Sequence, residues 1–227
     1  MHHNGFSIYG NPASNYVFLQ LVDIQDHSLP EQEAVLLEEL TGNTDWSIVP
    51  VPIADWNQEL TPWTADPVFG NTGFGNGAPK ALNRILIEVI PAIDAEYPAA
   101  HRDYILCGYS LAGLFSLWAA CQTDMFSGIV AASPSVWYPG WLRYAQEHPL
   151  RANQVYLSLG DKEERTKNPV MATVGQSIRD LHRLLLDTGN SCQLDWNPGN
   201  HFMDVDQRMV KGMAWMLKEM KENGQES

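Results

Sequence analysis

A stretch near the middle of the chain, residues 103–118, restricts the fold more than any other part of the sequence. It opens with a continuous apolar run at 104–107, which is typical of a strand buried on both faces. Beyond Gly113 the apolar residues recur at helical spacing, namely at Leu114, Leu117, Trp118 and Cys121. The stretch therefore predicts a buried strand that passes through a tight turn directly into a helix.

The turn reads Gly108-Tyr-Ser-Leu-Ala-Gly113 and places Ser110 among small residues. A serine on such a turn has a strained backbone, and small neighbours let the strand and the helix crowd around it while its hydroxyl stays exposed. The amide of Leu111 opens the following helix beside that hydroxyl, in a position to stabilise an oxyanion. Ser110 is therefore a candidate nucleophile, with Ala112 standing where this turn usually carries its second glycine.

Length, charge and cysteine content limit the class of protein. The chain has 227 residues, enough for one α/β domain spanning 1–227, and a net charge of −13, which argues against nucleic acid or an anionic membrane surface as a partner. Without a membrane-length apolar run or a start typical of a signal peptide, a cytoplasmic location is expected. Cys107, Cys121 and Cys192 lack metal-site spacing and are predicted to be free thiols. No metal or organic cofactor is implied, and no pattern indicates an oligomeric state.

Strand and helix patterns alternate along the chain. Strands are predicted at 16–22, 46–53, 104–107, 126–132, 154–159 and 192–196, after at most one short strand at 6–9. Helices are predicted at 31–40, 78–96, 114–121, 141–147, 168–187 and 204–220. This order predicts an α/β fold with a mostly parallel sheet of six to seven strands and helices on both faces. The irregular Trp/Gly-rich segment 54–77 is predicted to form a lid or a pocket wall.

A serine hydroxyl needs a base within hydrogen-bond reach and a third group that orients the base. The loops after residues 22, 53, 110, 159 and 196 all follow strands, and the carboxyl ends of parallel strands form the edge where ligands bind. His201 lies in the last of these loops and is the candidate base. His27 precedes Ser110 in the chain, whereas hydrolases of this type order the serine, the acid and the histidine in that sequence.

The acid that orients His201 is expected in the charged turn after the strand at 154–159. Glu163 fits the Gly-x-x-Asp/Glu pattern that begins at Gly160. Asp161 and Glu164 are adjacent alternatives, and five consecutive charged residues cannot all be buried.

Four motifs together resemble the esterase branch of the α/β-hydrolases, which includes S-formylglutathione hydrolases, enterobactin and other siderophore esterases, feruloyl esterases and mycolyltransferases. They are the Gly108–Gly113 turn, Phe74-Gly-x-Gly-Ala78 with Ile90-Pro-Ala-Ile93, Leu157-Ser-Leu-Gly-x-x-Glu163, and Gly199-Asn-His201. The resemblance covers about residues 16–220. It implies the α/β-hydrolase fold, Ser110 as nucleophile, His201 as general base and acid, Glu163 as orienting acid, and a carboxylic ester as substrate.

The chain departs from the family pattern at two places, and the resemblance also implies a second oxyanion donor. Ala112 replaces a glycine, and the amino terminus is short and lacks the antiparallel strands that usually open the fold. In this fold the loop after the strand at 16–22 supplies a second oxyanion donor, which counting places near Ile24 or Gln25.

The predicted function is ester hydrolysis through an acyl-enzyme, with a small-molecule ester as partner. An acyltransferase that uses the same site and a non-catalytic binding module on the same fold are the alternatives. Aromatic side chains at the catalytic edge are candidates for substrate binding: Trp56, Trp63, Tyr109, Trp137 and Tyr138.

Overall fold

The predicted alternation of strands and helices is present in the computed structural model, which describes residues 2–3, 6–26, 28–68 and 70–224. His27, and residue 69 of the irregular segment, lie outside the described residues. The strands are β1 (His2–His3), β2 (Phe6–Ser7), β3 (Tyr9–Gly10), β4 (Tyr16–Asp23), β5 (Ser47–Ile53), β6 (Asp103–Tyr109), β7 (Phe126–Ala132), β8 (Gln154–Gly160) and β9 (Ser191–Asn197). The α-helices are α1 (Leu29–Thr41), α2 (Trp56–Glu59), α3 (Ala78–Arg84), α4 (Ile90–Glu96), α5 (Leu111–Gln122), α6 (Trp141–Glu147), α7 (Val174–Asp187) and α8 (Val205–Gly224).

The central sheet has seven strands in the order β3-β5-β4-β6-β7-β8-β9. All neighbouring strands run parallel except β3, which pairs antiparallel with β5 at the edge. The α/β fold with a mostly parallel sheet is thus confirmed. The predicted strand at 6–9 is instead split, because β2 pairs with β1 and only β3 joins the central sheet. The expectation that the amino terminus lacks antiparallel strands is wrong, since both of these pairs are antiparallel and short.

Helices cover both faces of the sheet. A large apolar cluster on one face includes buried residues of α3 to α7, and a second cluster on the other face lies under α1 and α8. The methionines of α8 are buried in the second cluster, as their helical spacing predicts: Met209, Met213, Met216 and Met220. None of the helices within the described ranges combines the length and apolar character needed to cross a membrane.

The helix predicted at 78–96 is interrupted by a π-helical turn at Ile85–Val89, between α3 and α4. Pro91 explains the interruption, because proline has no N–H to donate and its ring clashes with the carbonyl four residues earlier. The wider turn just before Pro91 relieves this conflict while the apolar face stays buried at Ile85, Ile90 and Ile93.

Two other predicted segments differ in detail. The segment 54–77 contains the short helix α2 and a bridge between Ala65 and Phe74, so it is less irregular than its composition suggests. The helix predicted from residue 168 begins as a 3₁₀ turn at Met171–Thr173 and becomes α7 only at Val174. Asn168 Oδ1 accepts the N–H groups of Val170 and Met171, so it caps the 3₁₀ turn rather than the α-helix.

The strand register brings the candidate site together. Tyr109 of β6 pairs with Ala132 of β7, Ala132 pairs with Ser158 of β8, and Gly160 pairs with Asn197 of β9. The residues that follow these strand ends therefore project from one edge of the sheet, where ligands of parallel sheets bind.

Below this edge, Glu33 of α1 is a carboxylic acid that is fully buried beside Gln20 of β4. Burial raises the pKa of Glu33 from 4.5 to about 8, with an opposing effect of the Gln20 side chain and a smaller rise from Asp206 and Asp26. The unfolded chain releases this proton near pH 4.5, whereas the folded chain holds it until about pH 8. Glu33 therefore favours the folded state most at low pH, and this contribution is lost as the pH rises to about 8.

Glu33→Gln is therefore expected to flatten the pH dependence of stability, because glutamine does not titrate. Between about pH 5 and pH 8, the titration of Glu33 should lower the free energy of unfolding of the wild type by up to about 1.4 kcal/mol for each unit rise in pH. Urea unfolding across this range measures the slope. Glu31→Gln, an exposed change on the same helix, is the control and should keep the wild-type slope. Identical slopes for wild type and Glu33→Gln would contradict the prediction.

Candidate active site

Ser110 lies at the junction of β6 and α5 in a strained conformation, with φ 58° and ψ −121°. Its amide donates to the carbonyl of Ala132 at 3.2 Å, which ties the turn to β7. The turn is so tight that a Cβ added to Gly108 would lie 2.3 Å from the backbone of Ala112. Ala112 itself is fully buried and fits the turn. The geometry is thus the strand–turn–helix that the sequence predicts, with the hydroxyl at the sheet edge.

His201, in the loop between β9 and α8, lies beside this hydroxyl. Its Nε2 is 3.1 Å from Ser110 Oγ, and its Nδ1 is 2.7 Å from Glu163 Oε2. The hydroxyl of Tyr109 donates to the carbonyl of His201 at 2.8 Å and so holds the loop backbone. Serine, histidine and carboxylate form one continuous chain of hydrogen bonds.

Glu163 lies on a 3₁₀ turn, Glu163–Arg165, directly after β8, and is 9% exposed. Its Oε1 accepts hydrogen bonds from Ser133 Oγ and from the amide of Gly160, each at 2.7 Å. Burial alone would raise the pKa of Glu163, but the hydrogen bond and charge of His201, together with Ser133 and Gly160, hold it below its usual value. The carboxylate is therefore ionised at neutral pH and faces His201.

The two alternative acids are occupied elsewhere. Asp161 Oδ1 accepts the amide of Gly199 at 2.8 Å, which fixes the loop that leads to His201. Glu164 points to α7, where it pairs with Arg179 at 3.0 Å. Of the three acids in this turn, Glu163 is thus the one that contacts the histidine.

The backbone amides predicted to stabilise an oxyanion differ in their hydrogen-bond partners. Leu111 begins α5, where N–H groups lack partners within the helix. The amide of Ile24, however, donates to the carbonyl of Ile53 at 3.0 Å, and that of Gln25 donates to Asp23 Oδ1 at 2.9 Å. The amide of Ile24 is thus used by β5 and that of Gln25 by a local turn at Asp23, and the position of the second oxyanion donor stays a prediction.

Comparison with known proteins places this chain in a family. A family model described as "Putative esterase" matches residues 35–203, well over half of the chain. The chain belongs to this esterase family. Its membership makes it an enzyme of the carboxylic ester hydrolase class. A search of curated protein sequences found no match.

Solved structures of esterases share the fold at low sequence identity. The siderophore hydrolase EstA from Aspergillus nidulans is 19% identical, with a TM-score of 0.70 over 91% of this chain and 83% of its own. An IroE-like serine hydrolase from Shewanella oneidensis is 18% identical, with a TM-score of 0.74 over 94% of this chain and 75% of its own. The enterobactin esterase FES from Shigella flexneri is 15% identical, with a TM-score of 0.68 over 94% of this chain and 55% of its own. At such identities the likeness shows the α/β-hydrolase-type fold.

Three residues of the esterase site were missed in the sequence. Ser133 has φ 44° and donates to Glu163, and Arg208 of α8 contacts the same carboxylate oxygen at 2.9 Å. Ser135 Oγ lies 3.3 Å from Ser110 Oγ. If Ser110 donates its single hydroxyl proton to His201, the hydroxyl of Ser135 is the donor to Ser110. The string Ser133-Pro-Ser135 directly after β7 was the available sequence signal, because that strand ends at the catalytic edge.

Among the aromatic residues predicted to bind substrate, Trp137 lines a cavity, whereas Trp63 and Tyr138 hold two loops together. Trp137 is largely buried and lines a cavity of about 290 Å³ whose wall includes His201 and Glu163. Trp63 Nε1 donates to the carbonyl of Pro139 at 2.9 Å, and the hydroxyl of Tyr138 donates to the carbonyl of Trp63 at 2.5 Å. These contacts attach the segment 54–77 to the loop before α6.

Trp56 and Tyr109 also make contacts that support the fold. Trp56, the first residue of α2, packs against the larger apolar cluster. Tyr109 uses its hydroxyl on the backbone of His201, and its ring lies 5.2 Å from the imidazole. Of the predicted substrate-binding residues, Trp137 is the one on the cavity wall. Within the described ranges, no group of three or more His, Cys, Asp or Glu side chains is arranged to hold a metal ion.

Proposed function

We propose that the esterase hydrolyses carboxylic esters through an acyl-enzyme, with Ser110 as nucleophile, His201 as general base and acid, and Glu163 as the acid that orients His201. The observation that carries this proposal is the unbroken chain of hydrogen bonds from Glu163 Oε2 through the imidazole to Ser110 Oγ, with distances of 2.7 and 3.1 Å. Such a chain supplies both the base and the group that fixes its tautomer.

The proposed reaction has two halves. Ser110 Oγ attacks the ester carbonyl carbon while its proton moves to His201 Nε2, and the carbonyl oxygen becomes an oxyanion beside the amide of Leu111. The intermediate collapses, the C–O bond to the alcohol breaks, and His201 gives the alcohol its proton. A water then attacks the acyl-enzyme, loses its proton to His201, and the carboxylic acid leaves as the proton returns to Ser110 Oγ.

Glu163 contributes by staying ionised. Because its pKa is held low, its carboxylate accepts the Nδ1–H of His201 and leaves Nε2 as the acceptor for the serine proton. The same negative charge stabilises the imidazolium that forms during each half of the reaction.

Glu163→Gln is expected to lower kcat by about 10³- to 10⁴-fold, because glutamine can stabilise the wrong imidazole tautomer and carries no charge. Asp161→Asn removes the neighbouring alternative acid while keeping its shape, and should cost far less. Steady-state hydrolysis of p-nitrophenyl acetate by the two variants makes the comparison. A larger loss in Asp161→Asn would contradict the assignment of Glu163.

The cavity indicates where the acyl group or the alcohol is held. Apolar side chains form much of its wall, namely Trp137, Met171, Val174 and Phe202. At about 290 Å³ it is at the small end of ligand pockets, which suits a short-chain or aromatic group. The proposal therefore covers a small-molecule ester with one compact apolar part.

A panel of p-nitrophenyl esters of increasing acyl length tests the proposed function. Turnover with an initial burst of p-nitrophenol, and an acyl adduct seen by intact mass, is the expected result. Adding an alcohol or amine acceptor separates the alternatives, since an acyltransferase would send the acyl group to the acceptor in preference to water. A folded protein with neither turnover nor adduct would overturn the proposal in favour of a binding module. The predicted cytoplasmic location, and the lack of nucleic acid or membrane partners, stay predictions.

A further inference from the structure

Arg208 of α8 is a charged side chain that is 1% exposed. Burying a charge is costly unless the charge is paired and its N–H groups find acceptors. Its position in an otherwise amphipathic helix gives no packing reason for arginine, since α8 fills the core with methionines. The contacts of the guanidinium must therefore account for its burial.

One part of the guanidinium holds the backbone of the histidine loop. Nη2 donates to the carbonyl of Pro198 at 3.1 Å and to that of Asn200 at 2.9 Å. Nη1 donates to the hydroxyl of Tyr109 at 3.1 Å, and that hydroxyl in turn donates to the carbonyl of His201. The backbone on each side of the imidazole is thus held by one rigid, planar group.

The other part of the guanidinium meets the catalytic acid. Nη1 lies 2.9 Å from Glu163 Oε1 and 3.1 Å from Ser133 Oγ. His201 binds the other oxygen of the same carboxylate, Oε2. The carboxylate is therefore shared between a permanent cation and the imidazole.

We propose that Arg208 is a positioning residue for the triad, with two separable effects. Its planar donors fix the loop that carries His201. Its positive charge partly offsets the negative charge of Glu163, so that the carboxylate orients the imidazole without over-stabilising the protonated form of His201. This inference rests on the proposed triad of Ser110, His201 and Glu163, and it concerns the pH range over which that triad works.

The charge effect has a definite sign. Without the arginine, the charge of Glu163 faces His201 uncompensated, and the inactive, protonated imidazole persists to higher pH. The acid limb of kcat/KM should then move upward. Other charged or titratable groups near the histidine include Asp161, Lys162 and Arg165 on the acid turn and Tyr109 on β6, and these remain in both Arg208 variants.

Two variants separate the effects. Arg208→Gln removes the charge and most of the donors, and should lower kcat/KM for p-nitrophenyl acetate about 10- to 100-fold at neutral pH and move the acid limb up by about one pH unit. Arg208→Lys keeps the charge but loses the planar fork, so kcat should fall while the acid limb stays at the wild-type position. Tyr109→Phe removes the hydroxyl that links Arg208 to the carbonyl of His201, without any change of charge. It should therefore behave like Arg208→Lys.

Arg179→Gln is the matched control, because it removes one positive charge from the same region by breaking an exposed pair with Glu164. Its acid limb should match that of the wild type. An unshifted acid limb in Arg208→Gln overturns the charge effect, and wild-type kcat in both Arg208→Lys and Tyr109→Phe overturns the positioning effect. If Arg208→Gln does not fold, a shifted acid limb in Arg208→Lys overturns the charge effect instead. Wild-type protein without ester turnover would mean that the proposed function itself has failed, before any variant is compared.

Discussion

Ser110→Ala is expected to abolish ester turnover, with a loss in kcat of about a million-fold. In the proposed mechanism this hydroxyl forms the acyl bond, and His201, whose Nε2 lies 3.1 Å from it, is the base that activates it. Without it, any remaining rate would come from binding and from the amide of Leu111 acting on a water. The measurement is p-nitrophenyl acetate hydrolysis together with intact mass after treatment with a fluorophosphonate, which should add once to the wild type and not to the variant.

Ser116→Ala provides the control for Ser110→Ala. Ser116 lies on the same helix, is fully buried, and donates to the carbonyl of Ala112 rather than to any group of the triad. It should keep both the adduct and the turnover. A fluorophosphonate adduct on Ser110→Ala would place the nucleophile elsewhere, with Ser135 as the nearest other hydroxyl at 3.3 Å.

The turn that carries Ser110 could be predicted because local chemistry determines it. A backbone with φ 58° at Ser110 and a close approach between Gly108 and Ala112 require small residues at fixed positions, and these are visible in the sequence. The order of strands around it also follows from local patterns, since apolar runs and helical periodicity alternate. The position of His201 at the same sheet edge as Ser110 could be predicted because it lies in the loop after the last strand.

The sequence contains no signal for Arg208 and does not select among the three acids, because both depend on which distant side chains meet. Arg208 occupies an ordinary position in an amphipathic helix, and only the packing of α8 against the sheet brings it to Glu163. The choice among the three acids likewise depends on where Asp161 and Glu164 find partners. The second oxyanion donor stays a prediction, because counting along the chain does not reveal that the amide of Ile24 donates to Ile53 and that of Gln25 to Asp23.

His201→Ala is the second change with a very large expected effect, a loss in kcat of about a million-fold, similar to that of Ser110→Ala. Removing the imidazole leaves Ser110 without its proposed base and leaves Oε2 of the buried Glu163 carboxylate without the Nδ1 contact. Hydrolysis of p-nitrophenyl acetate measures the loss, and the rate of fluorophosphonate labelling should fall with it. His101→Ala is the control, because His101 is exposed and pairs with Asp103 at the other end of β6.

The double variant Ser110→Ala, His201→Ala tests whether the two residues act as one unit. If His201 works only by activating Ser110, the double variant should be no slower than either single variant, because the second change removes nothing that still functions. If the losses instead multiplied, each residue would have to act on the substrate independently. That outcome would contradict a shared acyl-enzyme mechanism even if each single variant were inactive.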